Sequence, residues 1–176
     1  MSTEIFRHYE FDHEGVLKES RLFLERGGYH IMKGSLVGFV FPHIHAKRDL
    51  EGHNHEFFGI VVGKMEDDEL LSAFIRLQAI KGLKGKLFDY ALITPPVNEY
   101  LLIEFLENNR GQNYMAIKAL DIMWWMVNPE EKSVWCIVGS PRDQALTNHF
   151  ILNKASLDQV IGMKVIRQNI LDEEVF

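Results

Sequence analysis

Four histidines fall within thirteen residues: His43-Ile44-His45, a seven-residue interval, then His53-Asn54-His55. Imidazole ligates metals and moves protons near neutral pH, so the spacing decides which chemistry is open. In extended chain, residues i and i+2 share a face, which puts His43 beside His45 and His53 beside His55. If 39–62 folds as a hairpin-like excursion, the two pairs approach each other. All four, or three with Asp49 or Glu56, would then suit one zinc or a similar divalent ion. General acid–base work is the second chemistry, but the sequence around the cluster supplies no evident nucleophile or orienting partner. The structural reading is simpler. Ala46–Gly52 is charged and loop-like, and histidines beside it would be solvated and would gain charge as the pH falls below about 7.

The rest of the chain holds no catalytic signature, and no catalytic residue is assigned. Cys136 lies in the apolar run Val134-Trp135-Cys136-Ile137-Val138, where an inert, buried thiol belongs; a reactive one needs an electropositive, partly open setting. Met123-Trp124-Trp125-Met126 reads as core before it reads as a recognition patch. Gly34 with Gly38, and Gly82 with Gly85, lack the strand–loop–helix frame and the Lys-Ser/Thr of a phosphate-cradling loop.

The net charge is −6, which disfavours direct nucleic-acid binding and is compatible with a basic protein partner. Acidic residues recur along the expected helices, where the ordinary reading is a solvated face or a favourable first turn. The functional reading is a docking face made of Glu66, Asp67, Asp68 and Glu69, with Glu99, Glu104 and Glu107. A single cysteine excludes an intramolecular disulfide framework. The polar start Met1-Ser2-Thr3-Glu4 lacks a signal-peptide pattern, and no apolar run approaches the ~20 residues of a membrane span. The expected location is cytoplasmic, with no membrane partner.

The stretch Asn128-Pro129-Glu130-Glu131-Lys132-Ser133-Val134-Trp135-Cys136-Ile137-Val138-Gly139-Ser140-Pro141-Arg142-Asp143-Gln144-Ala145-Leu146 resembles a closing unit of bacterial toxin-immunity proteins of the contact-dependent inhibition type. In those proteins a helix leads to a Trp-bearing strand, an Arg-Asp-like turn and a returning strand. The resemblance implies a non-enzymatic α+β inhibitor in the cytoplasm that neutralises a basic, nuclease-like toxin domain.

The elements that must position these residues follow from pattern. The spacing predicts a short strand within 4–11 and a helix over 12–26, with apolar Val16, Leu17, Phe23 and Leu24 and a stop at Gly27-Gly28. Strands are expected at Tyr29–Met32, Ser35–Phe41 and His55–Val62, a helix over 67–82, a strand at Leu87–Ile93 and a helix over 98–108. Residues 113–127 are assigned to helix, with Ile122–Val127 alone as the strand alternative. Ser133–Gly139 is a strand, Gln144–Leu152 its returning partner, and Ser156-Leu157-Asp158-Gln159 a capping box opening a helix through about Leu171. The sum over residues 1–176 is a single α+β domain: a central mixed or antiparallel sheet with four to five packed helices.

Overall fold

The computed structural model describes residues 13–50, 52–62, 67–96, 115 and 117–147. Its centre is one six-stranded mixed sheet whose spatial order equals its chain order. The strands are β1 (His30–Ile31), β2 (Ile44–Leu50), β3 (His53–Val61), β4 (Asp89–Thr94), β5 (Met123–Asn128) and β6 (Ser133–Val138). β1–β2–β3 form an antiparallel meander, β3–β4 and β4–β5 pair in parallel, and β6 returns antiparallel to β5. Parallel neighbours need a crossover. The first is α2 (Asp67–Lys84), which joins β3 to β4.

The period-two rule explains how this sheet is buried on both faces. Phe58, Ile60, Tyr90, Leu92 and Trp124 point to one side, where they meet Leu70, Phe74, Leu77 and Ile80 of α2. Their chain neighbours Phe57, Val61, Ala91, Ile93 and Trp125 point to the other side. There they meet Val16, Leu17, Phe23 and Leu24 of α1 (His13–Arg26), and Leu146 of the short α3 (Gln144–Thr147). Every residue of β4 is buried, as expected of a parallel strand covered on both faces. Both Trp124 and Trp125 are fully buried, in agreement with their reading as core. Trp125 stacks on Phe57 at 4.6 Å and meets Phe23 edge-on at 5.3 Å.

α1 ends as its sequence requires. Gly28 has φ +88°, Tyr29 N donates to Leu24 O at 3.0 Å, and Gly28 N donates to Glu25 O at 3.0 Å. That pair of bonds is a Schellman ending, in which the left-handed residue falls to glycine. It turns the chain directly into β1.

Four expectations are corrected. Ala46–Gly52 is not a charged loop, because Ile44–Leu50 is a full strand. Its charges are tolerated there since Lys47 and Arg48 find partners on other elements, at Glu56 and Asp143. Ser35–Phe41 is not a regular strand; Val37 and Val40 exchange two backbone hydrogen bonds across Gly38-Phe39, a tight turn. Within 113–127, helix covers 117–120 but Met123–Asn128 is strand. A strand buried on both faces shows no alternation, so its periodicity could not be told from a buried helix. Gln144–Thr147 is helical rather than returning strand. The amides of Arg142 and Asp143 are held by the Asp89 carboxylate, and Leu146 N and Thr147 N fold back onto Asp143 O. Besides the helical residues 117–120, the described residues form three helices, against the four to five expected; the segments 4–11, 98–108, 148–152 and 156–171 lie outside those residues.

Gly59 tests the packing. A Cβ placed there would stand 2.9 Å from Ile93 Cδ1 and 3.0 Å from Phe57 Cε1. Both neighbours are completely buried and have little room to yield. Gly59→Ala should lower the unfolding free energy by about 1–3 kcal/mol, read as a shift of the urea midpoint at unchanged slope.

Candidate functional site

The register of β2 against β3 builds the site. His45 stands opposite Phe58 and Lys47 opposite Glu56. All four side chains share the α2 face of the sheet, since Phe58 belongs to the α2 core. The His45 ring stacks on Phe58 at 4.5 Å with an interplanar angle of 12°. Its Nε2 lies 2.9 Å from Glu56 Oε1, and Lys47 Nζ reaches the same oxygen at 3.5 Å. Its Nδ1 lies 2.5 Å from the hydroxyl oxygen of Ser35. A carboxylate only accepts, so the Nε2–H donates to Glu56 and Nδ1 accepts the Ser35 O–H. The result is a continuous hydroxyl–imidazole–carboxylate chain.

Each member is held from two sides. The loop bearing Ser35 is anchored before it, where Met32 N donates to His45 O at 2.8 Å, and after it, where Val37 is buried in the α2 core. His45 and Glu56 are only 7% and 8% exposed, while Ser35 is half-buried. Burial lowers the His45 pKa from the ordinary histidine range; Glu56 opposes the shift, and the charges of Lys47 and Lys84 add to it. The imidazole is therefore neutral at physiological pH, the form a general base requires.

Ser35 and His45 open onto a cavity of about 580 Å³ at the edge of β2, between α1 and the loop leading from β1. Ile31, Met32, Phe41 and Pro42 make its apolar wall, and Arg21, Glu25 and Lys33 bring charge to it. The sequence grouped Glu56 with the histidines only as a possible metal ligand, and it paired Ser35 with no histidine. Ser35 is ten residues from His45 in a loop without a motif, and Glu56 becomes its partner only through the hairpin register. The one sequence cue is that Glu56 lies in the alternating frame of a strand.

The four histidines are not brought together. His55 pairs with Arg48, whose guanidinium points to Asp143 and the Gly27 carbonyl on the α1 side, so His55 faces away from His45. His53 pairs with Leu50 at the hairpin end, and its side chain is outside the described residues. His43 takes another role: its Nδ1 accepts the Val61 amide at 2.8 Å, and its ring meets His13 edge-on at 5.2 Å. Among the described residues no group of three His, Cys, Asp or Glu side chains stands close enough to hold a metal. Of the expected docking carboxylates, Asp68 and Glu69 are exposed at the start of α2, and only the backbone of Asp67 is described. Glu66, Glu99, Glu104 and Glu107 lie outside the described residues. Cys136 is partly buried, with its thiol directed at the carbonyls of Val138 and Gly139.

A second polar cluster fastens the end of the described chain. Asp143 accepts from Tyr29 Oη at 2.7 Å and from Arg48 at 2.9 Å. Asp89, whose pKa is raised by burial, accepts the amides of Arg142 and Asp143. This network joins the turn after α1 to β2, β4 and the start of α3, and Tyr29 also lines a smaller cavity with Gly28, His30 and Ile31.

His43 supplies a pH test. Burial, then the charges of His13, Arg76 and Arg21, lowers its pKa from 6.5 to about 4. The unfolded chain therefore binds a proton first on acidification. The stability that neutral His43 confers is present above its unfolded value and is lost as pH falls from 6.5 to about 4. Contrary to expectation, neither His43 nor His45 is a solvated group that charges readily below neutral pH. The wild-type urea midpoint should drop between pH 7 and pH 5. His43→Gln, whose amide oxygen can still accept the Val61 N–H, should drop less.

No protein-family model matches the chain, and no curated protein matches it. Among solved structures, the chain is similar to an XisH family protein from Nostoc punctiforme PCC 73102. The identity is 18% and the TM-score 0.45, over 69% of this chain and 96% of that one. It is also similar to an FdxN element excision controlling factor protein from Anabaena variabilis, at 16% identity and TM-score 0.45, over 69% of this chain and 96% of that one.

Proposed function

We propose that the chain is a hydrolase of the serine-nucleophile type, acting on an ester or similarly activated acyl compound. The observation that carries the reading is the chain from Ser35 Oγ through both nitrogens of His45 to Glu56 Oε1, with Ser35 and His45 on the wall of one cavity. A serine hydroxyl is a weak nucleophile until a neighbouring base takes its proton, and the base needs a third group to hold its tautomer. Here the roles are Ser35 nucleophile, His45 base and Glu56 orienting carboxylate.

The steps follow from those roles. Ser35 Oγ attacks the acyl carbon while its proton moves to His45 Nδ1. The developing imidazolium is stabilised through Nε2–H by Glu56. Collapse of the tetrahedral intermediate breaks the bond to the leaving alcohol, which takes the proton from His45. Water then attacks the acyl-Ser35, losing a proton to Nδ1; collapse breaks the acyl bond to Ser35 Oγ, which takes that proton back from His45 as the acid departs. Arg21 and Lys33 line the same cavity wall as Ser35, alongside Glu25, and are the described cations available to an acyl compound bound there.

A second reading, the non-enzymatic inhibitor of a basic toxin domain, is supported by the exposed Asp68 and Glu69 on α2. It predicts a basic protein retained at low salt and released as salt screens the charges.

The hydrolase reading is tested with p-nitrophenyl esters of graded chain length and with a fluorophosphonate probe. Ser35→Ala should lower kcat/KM by on the order of 10⁴-fold and abolish labelling, and Glu56→Gln should cost on the order of 10³-fold. Because His45 is shifted down, the rate should rise through a pKa below 6.5 and be level at neutral pH. Labelling or turnover that survives Ser35→Ala at the wild-type level would remove the proposal.

A further inference from the structure

We infer that the face bearing the cavity mouth docks on an anionic lipid surface, and that the acyl compound taken by Ser35 is presented from that surface. As a docking surface the inference stands alone; as a statement of substrate class it rests on the hydrolase reading.

The first observation is an apolar tip that is held out rather than left loose. Gly38, at φ +61°, and Phe39 form a tight turn closed by Val37 N to Val40 O at 2.9 Å and Val40 N to Val37 O at 3.0 Å. Val37 anchors this turn in the core at 6% exposure, while Phe39 at its tip is 103% exposed. Leu83 of α2 lies directly against Gly38, 2.7 Å from where a Cβ would stand, and is itself 66% exposed. Leu36 and Phe41 flank the turn at 54% and 60% exposure. A fully exposed aromatic side chain on a pinned backbone cannot bury itself by local rearrangement, so its apolar area stays available to another phase.

The second observation is charge. The chain as a whole carries −6, yet residues 27–48 and 70–88 contain no Asp or Glu. These segments supply the turn and the outer part of α2 beside it. Lys33 precedes the turn, Arg76 reaches the Phe41 carbonyl at 3.4 Å, and Lys84 lies 5.8 Å from the Phe58 ring centre beneath His45. Apolar side chains flanked by Lys33, Arg76 and Lys84 match an anionic bilayer interface, with Glu25 the carboxylate that borders the face, on the cavity wall beside Arg21. A second copy of the chain is disfavoured, since it would bring the same cations face to face. Single-stranded nucleic acid is disfavoured because aliphatic Leu36 and Leu83 offer no stacking platform.

The third observation is continuity. Phe41 is exposed on this face and also lines the cavity into which Ser35 and His45 open. Met32 and Pro42 line the same cavity, so an acyl chain entering past Phe41 would find apolar wall beside the hydroxyl.

The experiment is co-sedimentation with phosphatidylcholine vesicles, with and without phosphatidylserine. It uses the Ser35→Ala chain so that turnover does not alter the lipid. Binding should require phosphatidylserine, fall steeply with added salt, and weaken roughly tenfold in Phe39→Ser and again in Lys33→Glu. Both side chains are exposed, so neither variant should disturb folding, and far-UV circular dichroism checks this. Four results would overturn the inference: no sedimentation, equal binding to neutral vesicles, equal binding by Phe39→Ser, or a concentration-dependent dimer abolished by that substitution. Tighter binding to a single-stranded oligonucleotide than to vesicles, lost with Phe39, would reassign the face to nucleic acid. Vesicle binding without ester turnover by the wild type would leave the docking surface standing and remove the hydrolase; turnover of soluble esters without vesicle binding would do the reverse.

Discussion

The antiparallel register of β2 against β3 is the constraint on which the rest of this structure depends. A slip of one residue would turn every side chain of one strand to the opposite face. Phe57 would leave Trp125 and the α1 core, Phe58 would leave Tyr90 and the α2 core, and Glu56 would no longer meet His45. Core and polar chain are thus specified by the same pairing. The apolar residues enforce it, because Phe57 and Phe58 are both completely buried in different cores, and a slip would take each out of the packing that holds it. Burial of each large side chain is worth about 1.5–3 kcal/mol. That is more than a typical net hydrogen bond of about 1 kcal/mol, so packing sets the register and the polar groups follow.

Polar groups inside this frame are accommodated by partnership. His45, Glu56, Asp89 and Asp143 are all nearly buried, and each has identified hydrogen-bond partners. The two polar clusters lie on opposite faces of the sheet and differ in kind. The Asp143 cluster is a fastening: tyrosine, arginine and two carboxylates lock α3 and the turn before it against α1 and β2. The His45 cluster has a hydroxyl at its open end and a cavity beyond it. Truncating a partner in the first leaves a buried charge and costs stability. Truncating Ser35 leaves a neutral imidazole next to solvent, a much smaller loss, which lets function be separated from folding at that site.

The long connection from β1 to β2 gives the molecule its asymmetry. β1 is only two residues long, so among the described residues it pairs the outer edge of β2 only at Ala46 and Lys47. The connection then covers that edge, supplies Ser35, and projects Phe39.

Much of the framework was legible in the sequence: α1 with its glycine stop, α2 with its acidic start and basic end, and the strands β3, β4 and β6. Local periodicity and capping chemistry carry those signals, and they need no knowledge of neighbours. The tertiary structure alone decided three things. It placed Met123–Asn128 as strand, because a segment buried on both faces has no alternation to read. It made Ile44–Leu50 a strand despite its charges, because Glu56 and Asp143 stand where Lys47 and Arg48 need them. And it split the histidine cluster: adjacency in sequence suggested four ligands, but strand direction and side-chain alternation send His45 to Ser35 and Glu56 and His55 to the opposite face. Chemistry between side chains depends on distances of about 3 Å, and only the packing of one strand against another fixes distances that short.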